Sequence, residues 1–397
     1  MLIKYLNSNE QDSWNSYVYY FAYSNLYHLS GWQRVVENTY GHKSFYLMAI
    51  NDNPHLVHRN TKQKTIHQTS AVGSELNGNL IVGTLPLVHL KHSLFGNSLI
   101  SMPFFDSGGI LADNAESEKA LLAAAIKLGQ KLRVRHIELR QLKPLSWIQE
   151  MNPTNLSFVG CQSYPTRSDN RTSLFTYEAK SHKVRMLLNL PESSDVLMKS
   201  FKAKLRSQIK KPLKEGLHPK VGGLELLEDF YKVFSINMRD LGSPVHSKKL
   251  MRNVLRKFPE QAKIVMVYRD TQPLASSLIV GFKDTLANPW ASALREYSRL
   301  SPNMLLYWTM LKYACDNGYR YFDFGRSSPD EGTYKFKKQW GAKPTPLHWY
   351  YISLNGRPID TRASQKSKIV SAIRYWQKLP LPVTKILGPR IRKHISL

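Results

Sequence analysis

The sequence predicts an α+β fold in which mixed, mostly antiparallel sheets are flanked by helices. The first observation behind this prediction is composition: of 397 residues, 42% are hydrophobic and 11% are aromatic. That content is enough for a large buried core and excludes wholesale disorder. The second observation is a pattern of two extended segments, a helix and a further strand that occurs twice along the chain. Because a single core seldom grows beyond about 250–300 residues, length and repeat together predict two domains.

The first copy of the pattern begins at residue 80. Its two extended segments lie within 80–112 and are joined by a short turn, as antiparallel neighbours are. A helix with Ala and Leu on one face follows at 115–131 and returns the chain to a strand at 135–141. The elements predicted upstream are a helix at 32–36 and a strand at 44–50.

A polar stretch at 51–79 separates that upstream strand from the repeat. It has no hydrophobic periodicity, so we expect an exposed insertion within a first domain that covers 1–180. Its histidines, His55, His58 and His67, have no fixed metal-ligand spacing. We therefore predict no metal site.

The second copy of the pattern lies in a second domain that we assign to 181–356. Its paired extended segments run within 273–303, a helix covers 303–317 and a strand covers 320–327. The elements predicted upstream are helices at 223–241 and 247–257 and a strand at 262–269. The two copies share little identity, so the repeat is one of pattern.

Basic residues outnumber acidic ones, 56 Lys and Arg against 29 Asp and Glu, for a net charge of +27. The excess is concentrated in two segments. Residues 198–220 carry eight bases and one acid, and residues 357–397 carry ten bases and one acid, Asp360. Such a charge favours an anionic partner: nucleic acid, a membrane surface or a phosphate-bearing small molecule.

The first basic segment predicts an amphipathic helix at 199–214. Apolar side chains repeat every four residues on one face, and basic ones repeat likewise on another: Phe201, Leu205 and Ile209, and Lys202, Arg206 and Lys210. Two interpretations stay open. The helix has a solvated basic face, or it binds phosphate beside an active site, with Arg206 as a candidate substrate-binding residue.

The second basic segment, 357–397, is predicted to be an amphipathic C-terminal arm. Ile369, Ile373 and Trp376 lie close to one face of a helical stretch, and prolines, aliphatics and bases alternate after it. A basic amphipathic segment that carries Trp is typical of contact with an anionic membrane surface. Packing of the arm on its own domain is an equal alternative, and tRNA is a further candidate partner.

The compartment is predicted from two features. The two cysteines, Cys161 and Cys315, are too few for a disulfide framework, which favours a reducing compartment. No signal peptide is visible, and no apolar run reaches the ~20 residues that span a bilayer. We expect a cytoplasmic protein, with peripheral contact at the inner face of the cell membrane as an extension of that prediction.

The stretch FDFGRSSPDEGTYKFKKQWGA, residues 322–342, is the most informative in the chain. It resembles the signature of the FemAB-like branch of the GNAT acyltransferase superfamily, a Gly-x-Tyr-x-Phe-Lys-x-x-aromatic-Gly run after a strand. The matching positions are Gly332, Tyr334, Phe336, Lys337, Trp340 and Gly341. The basic helix at 199–214 and the segment 238–251 also resemble family segments. The resemblance spans nearly the whole chain outside 51–79, and within the family it points to proteins of the exosortase (PEP-CTERM) exopolysaccharide system.

The resemblance implies two tandem GNAT-like domains and an enzyme, an acyltransferase that moves an acyl or aminoacyl group from a thioester or ester to an amine. It implies no permanently bound cofactor, and acyl-CoA or aminoacyl-tRNA as the phosphate-bearing donor. The acceptor implied is an amine of a cell-envelope, peptidoglycan or exopolysaccharide precursor, including lipid-linked glycan precursors. The rival interpretation is a non-catalytic basic module that binds RNA or anionic membrane.

The donor loop of GNAT enzymes corresponds by this resemblance to residues 299–304, with Arg299, Ser301 and Asn303 as cofactor-binding candidates. Arg299 matches the family pattern. Pro302 and Met304 depart from it, because they replace small residues that let backbone N–H groups approach a pyrophosphate. We expect Ser301 to cap the helix that follows.

Three residues are the catalytic candidates. Lys337 offers an ammonium that can neutralise a donor phosphate or a developing oxyanion, and the family motif has lysine there. Tyr334 can give a proton to the leaving group, with a structural tyrosine as the alternative. Asp106, in a turn before Gly108 and Gly109, can orient or deprotonate the amine, with turn capping as the alternative.

The remaining candidates are for substrate binding. Arg326 ends a strand and can bind an anion or pair with Asp323 or Glu331, which is itself a candidate. Lys335 alternates with Lys337 in a run predicted to be extended, so only one of the two lysines should line the cleft. Asp240 and His246 are a further acid/base pair. No Ser-His-Asp elbow, Walker loop or zinc motif is present in the sequence, which argues against hydrolases and kinases.

Overall fold

The computed structural model describes residues 1–51, 75–76, 79–93, 95–146, 159–165, 172–181, 183–329, 331–355 and 366–396. The predicted insertion at 51–79, with its three histidines, falls almost wholly outside these ranges.

The strands, in chain order, are β1 (Leu2–Tyr5), β2 (Lys43–Asn51), β3 (Glu75–Leu76), β4 (Asn79–His92), β5 (Gly96–Ile100), β6 (Leu111–Ala112), β7 (His136–Gln141), β8 (Val159–Pro165), β9 (Thr172–Lys180), β10 (Val184–Asn189), β11 (Leu217–Gly222), β12 (Ala262–Arg269), β13 (Gln272–Phe282), β14 (Thr285–Ala293), β15 (Tyr321–Ser327), β16 (Lys343–Pro346) and β17 (His348–Ser353). The helices are α1 (Gln11–Tyr20), α2 (Gly31–Tyr40), α3 (Ala115–Lys131), α4 (Ser194–Ser200), α5 (Ala203–Lys214), α6 (Leu227–Asp240), α7 (Lys248–Lys257), α8 (Pro302–Asp316), α9 (Gly332–Gln339), α10 (Lys366–Lys378) and α11 (Leu381–Arg392).

These strands form two sheets. The first has the order β1-β2-β4-β5-β7-β17-β9-β8, with β3 and β6 paired to β4, and the second has the order β11-β12-β13-β14-β15-β10-β16. Every pair in the first sheet is antiparallel except β5 with β7, and every pair in the second is antiparallel except β14 with β15. The predicted α+β class with mixed, mostly antiparallel sheets is confirmed.

The predicted repeat accounts for the parallel pair in each sheet. In the first sheet α3 connects β5 to β7, and in the second α8 connects β14 to β15. A crossover helix is what parallel neighbours require. Helix α3 begins at a capping box in which the side chain of Asn114 accepts from the backbone of Ser117 at 2.8 Å. Its Leu121, Leu122 and Ala125 are buried against the sheet, as the periodicity predicts.

One strand departs from the predicted domain division. Strand β17 lies within the segment assigned to the second domain, but it pairs with β7 and β9 of the first sheet. The short connection from β16, Leu347, leads the chain from one sheet directly into the other. The first sheet is therefore completed by residues that the sequence places about two hundred positions away from it.

The two halves of the chain share a hydrophobic core. Helix α2 of the first half packs against α7 of the second, and the ring centroid of Trp32 lies 5.0 Å from that of Phe258. Phe105 of the first half contacts Trp290 of the second, with centroids 5.5 Å apart. Because all four side chains are buried in one cluster, the halves pack as a single body.

Two sequence predictions about helices are wrong in part. The basic segment 199–214 is interrupted at Phe201 and Lys202 between α4 and α5, although its predicted apolar face is buried and Pro212 is accommodated. The aromatic-basic run predicted to be extended is helix α9. Its alternating lysines imitate a strand, but tertiary packing of one helical face decides the conformation.

The C-terminal arm packs on its own chain. Helix α11 lies against α6, and Gly388 is buried so closely that an added Cβ would come within 2.9 Å of Val245. Beyond the helix, the carbonyl of Ser396 accepts from the backbone N–H of Phe104 at 2.6 Å, and that of Lys393 bonds His42 at 2.7 Å. The described residues of the arm therefore pack on their own chain, which is one of the alternatives that the sequence left open.

Candidate functional site

A cavity of about 360 Å³ lies where β14 and β15 separate. Their parallel pairing covers only Thr285–Ala287 against Tyr321–Asp323, and the strands then diverge. Gly325 stands at the divergence with φ of +73°, a conformation that favours glycine. The other wall of the cavity comes from the first half of the chain, so the site lies at the junction of the two sheets.

A tight turn of the first half presents Asp106 to the cavity. Met102 and Phe104 in this turn have φ of +50° and +77°, which is strained backbone for residues other than glycine. The turn is held from outside, because the guanidinium of Arg140 donates to the carbonyl of Phe105 and the N–H of Gly108 donates to the carbonyl of Arg140. Strained, overdetermined backbone of this kind clusters at functional sites.

Asp106 and Arg326 join the two halves across the cavity. The carboxylate of Asp106 lies 3.5 Å from Nε of Arg326 and accepts from its backbone N–H at 3.2 Å. Trp349 of β17 donates from Nε1 to the carbonyl of Asp106 at 3.0 Å, and its ring lies 5.6 Å from the Arg326 guanidinium. The strand that crosses to the first sheet therefore supports the pair directly.

A second ion pair lies beside the first. Nε of Arg185, on β10, donates to Asp323 of β15 at 2.6 Å, and the other carboxylate oxygen of Asp323 accepts from the N–H of Gly325 at 2.8 Å. This pair ties β10 to the point where β15 turns away from β14.

Lys337 is a buried lysine, 8% exposed, on the cavity wall. Its ammonium donates to the carbonyls of Gly325 and Arg326 at 3.1 and 2.7 Å, which leaves one of its three donors for a ligand. Burial lowers the pKa of Lys337 to about 8, against the opposing attraction of Asp323 and Asp106. The group is charged at neutral pH and loses its charge within the alkaline range.

A second cation of the cavity, partly buried, comes from the C-terminal arm. Arg392, in the last turn of α11, lines the cavity and donates from Nε to Nε2 of His246 at 3.1 Å. Burial lowers the pKa of Arg392 to about 10. Burial also holds the pKa of His246 well below its usual value, and the positive charge of Arg392 lowers it further. His246 is therefore neutral, with Nδ1 bonded to the hydroxyl of Tyr40 at 2.8 Å.

The charges around the cavity do not cancel. Its two carboxylates, Asp106 and Asp323, are each paired with an arginine. Within the described ranges, Lys337 and Arg392 line the same cavity without a carboxylate at ion-pair distance. With His246 neutral, the cavity carries two positive charges in excess, so it is suited to an anion.

The cavity unites four of the residues selected from the sequence: Asp106, His246, Arg326 and Lys337. Three others are on α9 or at its start but face elsewhere. Tyr334 packs against the core of the second sheet, and Lys335 and Glu331 are exposed. The reason is the helical conformation: Thr333 and Lys337, one turn apart, share the cavity face, and the residues between them rotate away.

The remaining candidates lie outside the cavity. Arg206 donates to the carbonyl of Phe201 and so bridges the break between α4 and α5. Asp240 pairs with Arg239 at 2.8 Å and does not meet His246. The start of α8 carries Arg299, Ser301 and Asn303. Ser301 has φ of +56° and makes no capping hydrogen bond, so the predicted cap is wrong. A capping side chain reaches the first turn from extended backbone, and Ser301 is left-handed.

The sequence missed five residues that shape the cavity: Tyr27, Arg185, Trp290, Asp323 and Arg392. From the sequence, Asp323 is only an alternative partner for Arg326. Its place in the motif strand was a usable signal, since it lies two residues before the strand-ending Gly325. Nothing in the sequence marks Arg392 among the ten bases of the arm.

A basic groove lies on the other side of α9. This open groove, of about 960 Å³, is lined by Lys335 and Lys338 of α9, by Lys204 of α5 and by Lys202. The predicted basic helix and the motif lysine that is not in the cavity therefore face each other here. Lys211 of the same helix donates to the carbonyl of Arg299 at 2.7 Å, which places α5 beside the start of α8.

The family model of the acetyltransferase (GNAT) domain matches residues 199–338. The crystal structure of FemX superposes on 88% of this chain and 97% of its own, with a TM-score of 0.59 at 15% identity. Residues 199–338 thus match a GNAT acetyltransferase domain, and the chain shares the fold of FemX. Part of the cavity lining, including Arg326 and Lys337, lies within the matched domain.

Other solved structures are similar to this chain in fold. A conserved protein of unknown function from Bacteroides thetaiotaomicron aligns with 89% of this chain and 100% of its own, with a TM-score of 0.50 at 10% identity. A tandem GNAT protein from the clavulanic acid biosynthesis pathway aligns with 90% of this chain and 99% of its own, with a TM-score of 0.48 at 10% identity. Among curated proteins, none matches the sequence significantly.

Within the described ranges, no helix is both long and apolar enough to cross a bilayer. In the same part of the chain, no group of three or more His, Cys, Asp or Glu is arranged to hold a metal ion.

Proposed function

We propose that this protein is an N-acyltransferase whose reaction takes place in the cavity between the two sheets, with Lys337 as its principal catalytic residue. The observation that carries the proposal is a buried ammonium on the wall of an electropositive cavity in a GNAT domain. An ammonium held by two backbone carbonyls is preorganised, so it costs little reorganisation when charge develops on a substrate.

In the proposed reaction a neutral amine attacks the carbonyl carbon of the acyl donor. The new C–N bond forms, the carbonyl oxygen becomes an oxyanion that Lys337 stabilises, and the C–S or C–O bond to the donor then breaks. Asp106 accepts a hydrogen bond from the attacking amine and orients it. Arg326, paired with Asp106, binds an anionic group of a substrate. The proton lost by the amine ends on the leaving thiol or hydroxyl.

Two substrates can approach this reaction from two sides. A second cavity, of about 480 Å³, adjoins the first and shares Tyr27, Arg185 and Asp323 with it. The basic groove beyond α9 adds a surface for phosphates. We propose that the donor is a phosphate-bearing acyl or aminoacyl carrier, either an acyl-CoA or an aminoacyl-tRNA. The groove favours the larger, more highly charged tRNA.

The acceptor we propose is an amine of a cell-envelope precursor in the cytoplasm, either a peptidoglycan precursor or an exopolysaccharide precursor on a lipid carrier. The outer face of the arm supports contact with a membrane surface. Tyr375 and Ile386 are 75% and 58% exposed, next to the exposed bases Arg374 and Lys378. Exposed apolar side chains among bases fit an anionic lipid surface.

The proposal is tested with purified protein, a panel of acyl-CoA and aminoacyl-tRNA donors and detection of the N-acylated product by mass spectrometry. Lys337→Met is expected to lower kcat about 100- to 1,000-fold, because an oxyanion donor of this kind contributes that much. Lys343→Met is the matched control and should retain kcat, because Lys343 is exposed and lines neither the cavity nor the basic groove. Equal turnover by Lys337→Met and wild type contradicts the role of Lys337.

The rival function is a non-catalytic module that binds RNA or anionic membrane through α5 and the arm. It predicts binding that falls steeply with salt and is unchanged in Lys337→Met. Salt-sensitive binding without product from any donor in the panel would favour this rival. Product formation that depends on Lys337 would exclude it.

A further inference from the structure

Arg392 differs from the other cations of the cavity because the described residues give it neither a carboxylate nor a carbonyl partner. Arg185 and Arg326 are each paired with a carboxylate, and Lys337 is held by two carbonyls. In the part of the chain that the structure describes, the hydrogen bond that Arg392 makes is the one to His246, a neutral ring.

The described residues use only a small part of the hydrogen-bonding capacity of Arg392. A guanidinium has five N–H donors in a planar fork. Only Nε is engaged, and within the described ranges no protein group accepts from either terminal nitrogen. The fork lies on the wall of the cavity, together with the charges of Arg326 and Lys337.

Burial of such a group is costly unless something compensates it. Arg392 is partly buried, and the neighbouring positive charges of Arg326 and Arg140 disfavour its charged form further. The protein also orients the fork, since His246 is held by Tyr40 through Nδ1 and accepts from Nε of Arg392 through Nε2. A partly buried, oriented guanidinium without a carboxylate partner in the described residues is suited to bind an anion.

We propose that Arg392 binds an anionic group, a carboxylate or a phosphate, through its two terminal nitrogens, so that the C-terminal arm completes the cavity. The planar fork matches either anion in a bidentate manner, which a lysine cannot do. That the anion belongs to a substrate rests on the proposed acyl transfer, whereas the anion site itself does not.

The test measures binding of two probe anions, inorganic phosphate and acetate, by isothermal titration calorimetry at pH 7 and constant ionic strength. Wild type is expected to bind at least one of them saturably. Arg392→Gln should lose about 10-fold or more of that affinity, because a hydrogen-bonded charge contributes this much. Arg390→Gln is the matched control, since Arg390 lies on the same helix but is exposed, and it should bind as wild type does.

The outcomes are distinct. Preference for phosphate or for acetate identifies the group, and equal affinity of Arg392→Gln and wild type, or no saturable binding by wild type, overturns the proposal. If Arg392→Gln does not fold, Arg392→Lys decides: several-fold weaker binding supports the fork, and undiminished binding overturns it. Anion binding without acyl transfer from any donor would support the anion site and contradict the proposed function. Acyl transfer without anion binding would support the proposed function and contradict the anion site.

Discussion

Lys337 differs from the other motif lysines in its surroundings rather than in its chemistry. It is buried and held by the carbonyls of Gly325 and Arg326, whereas Lys335 is exposed on the same helix. Burial disfavours the charged form of a lysine, which is why its pKa falls to about 8. A lysine with this pKa can act by charge below pH 8 or as a base above it, and the pH dependence separates the two roles.

The pH profile of kcat is therefore a test at the level of one residue. If Lys337 acts through its charge, activity falls as pH rises through about 8, where the ammonium deprotonates. The control is Lys337→Arg, whose guanidinium stays charged, and the alkaline fall should disappear in that variant even if kcat is lower. A wild-type profile that rises through pH 8 and levels off would assign Lys337 the role of a base instead.

Asp106 gives a second prediction at this scale. Asp106→Asn keeps the shape of the side chain but removes the charge that pairs with Arg326, so the cavity gains a third uncompensated cation. We expect kcat/KM for the amine acceptor to fall about 100-fold, within the range of a positioned acid or base. Glu331→Gln, an exposed carboxylate beside α9, is the control and should behave as wild type. Equal effects of the two substitutions on steady-state kinetics would argue against a role for Asp106.

Among the elements, α9 shows most clearly how a helix sorts its residues. The run GTYKFKKQ alternates basic and aromatic side chains, which imitates a strand, yet it folds as a helix. Its period places Thr333 and Lys337 on the cavity, Lys335 and Lys338 on the basic groove, and Tyr334 against the core. One short helix thus separates the reaction site from the proposed phosphate surface.

Helix α11 gives the prediction for an element. In Gly388→Ala the added Cβ would lie 2.9 Å from Cγ1 and 3.0 Å from the backbone nitrogen of Val245, so α11 must move outward. We expect the free energy of unfolding to fall by about 1–3 kcal/mol, as for overpacking, and the affinity for probe anions to fall with the displacement of Arg392.

The control for this displacement is Leu387→Ala, on the exposed side of the same helix, which should change neither property. Urea denaturation and calorimetry measure both. Unchanged anion affinity in a destabilised Gly388→Ala would mean that Arg392 does not depend on the docking of α11.

At the scale of the whole molecule, the two halves are joined by more than a linker. Strand β17 leaves the second half to pair with β7 and β9, and the cluster that contains Trp32 and Trp290 is continuous across the junction. The site lies at this junction, and its principal ion pair takes one residue from each half. The position of the cavity therefore depends on the association of the halves.

This shared construction predicts that the chain unfolds in one cooperative transition rather than two. Trp32→Ala, in the first half, should lower the free energy of unfolding by about 3–5 kcal/mol. It should shift the whole transition, because the truncated side chain leaves a cavity in the cluster that both halves share. Leu311→Ala, buried in the second core only, should shift the same transition. Differential scanning calorimetry is the measurement, and two separate transitions that respond individually to these substitutions would contradict the prediction.

Much of the architecture was predictable because it is written in local periodicity. The helix predicted at 115–131 and the strand at 262–269 have the bounds of α3 and β12, and the repeat of strands, helix and strand is present in both sheets. The motif around Lys337 was readable from the sequence for the same reason. The conformation of α9 was not, because a pattern of eight residues fits either period and packing decides between them.

The sequence by itself determined the class of fold, the repeat and the candidate lysine, since hydrophobic period and motif are properties of neighbouring residues. Only the tertiary structure decided three contacts: the pairing of β17 with β7 of the first sheet, the pairing of Asp106 with Arg326 across 220 positions, and the position of Arg392 on the cavity wall. These are contacts between distant segments, which no local pattern records. The same contacts distribute the net charge of +27. They place Lys337 and Arg392 in the cavity without a carboxylate partner among the described residues, and they leave most other described bases exposed.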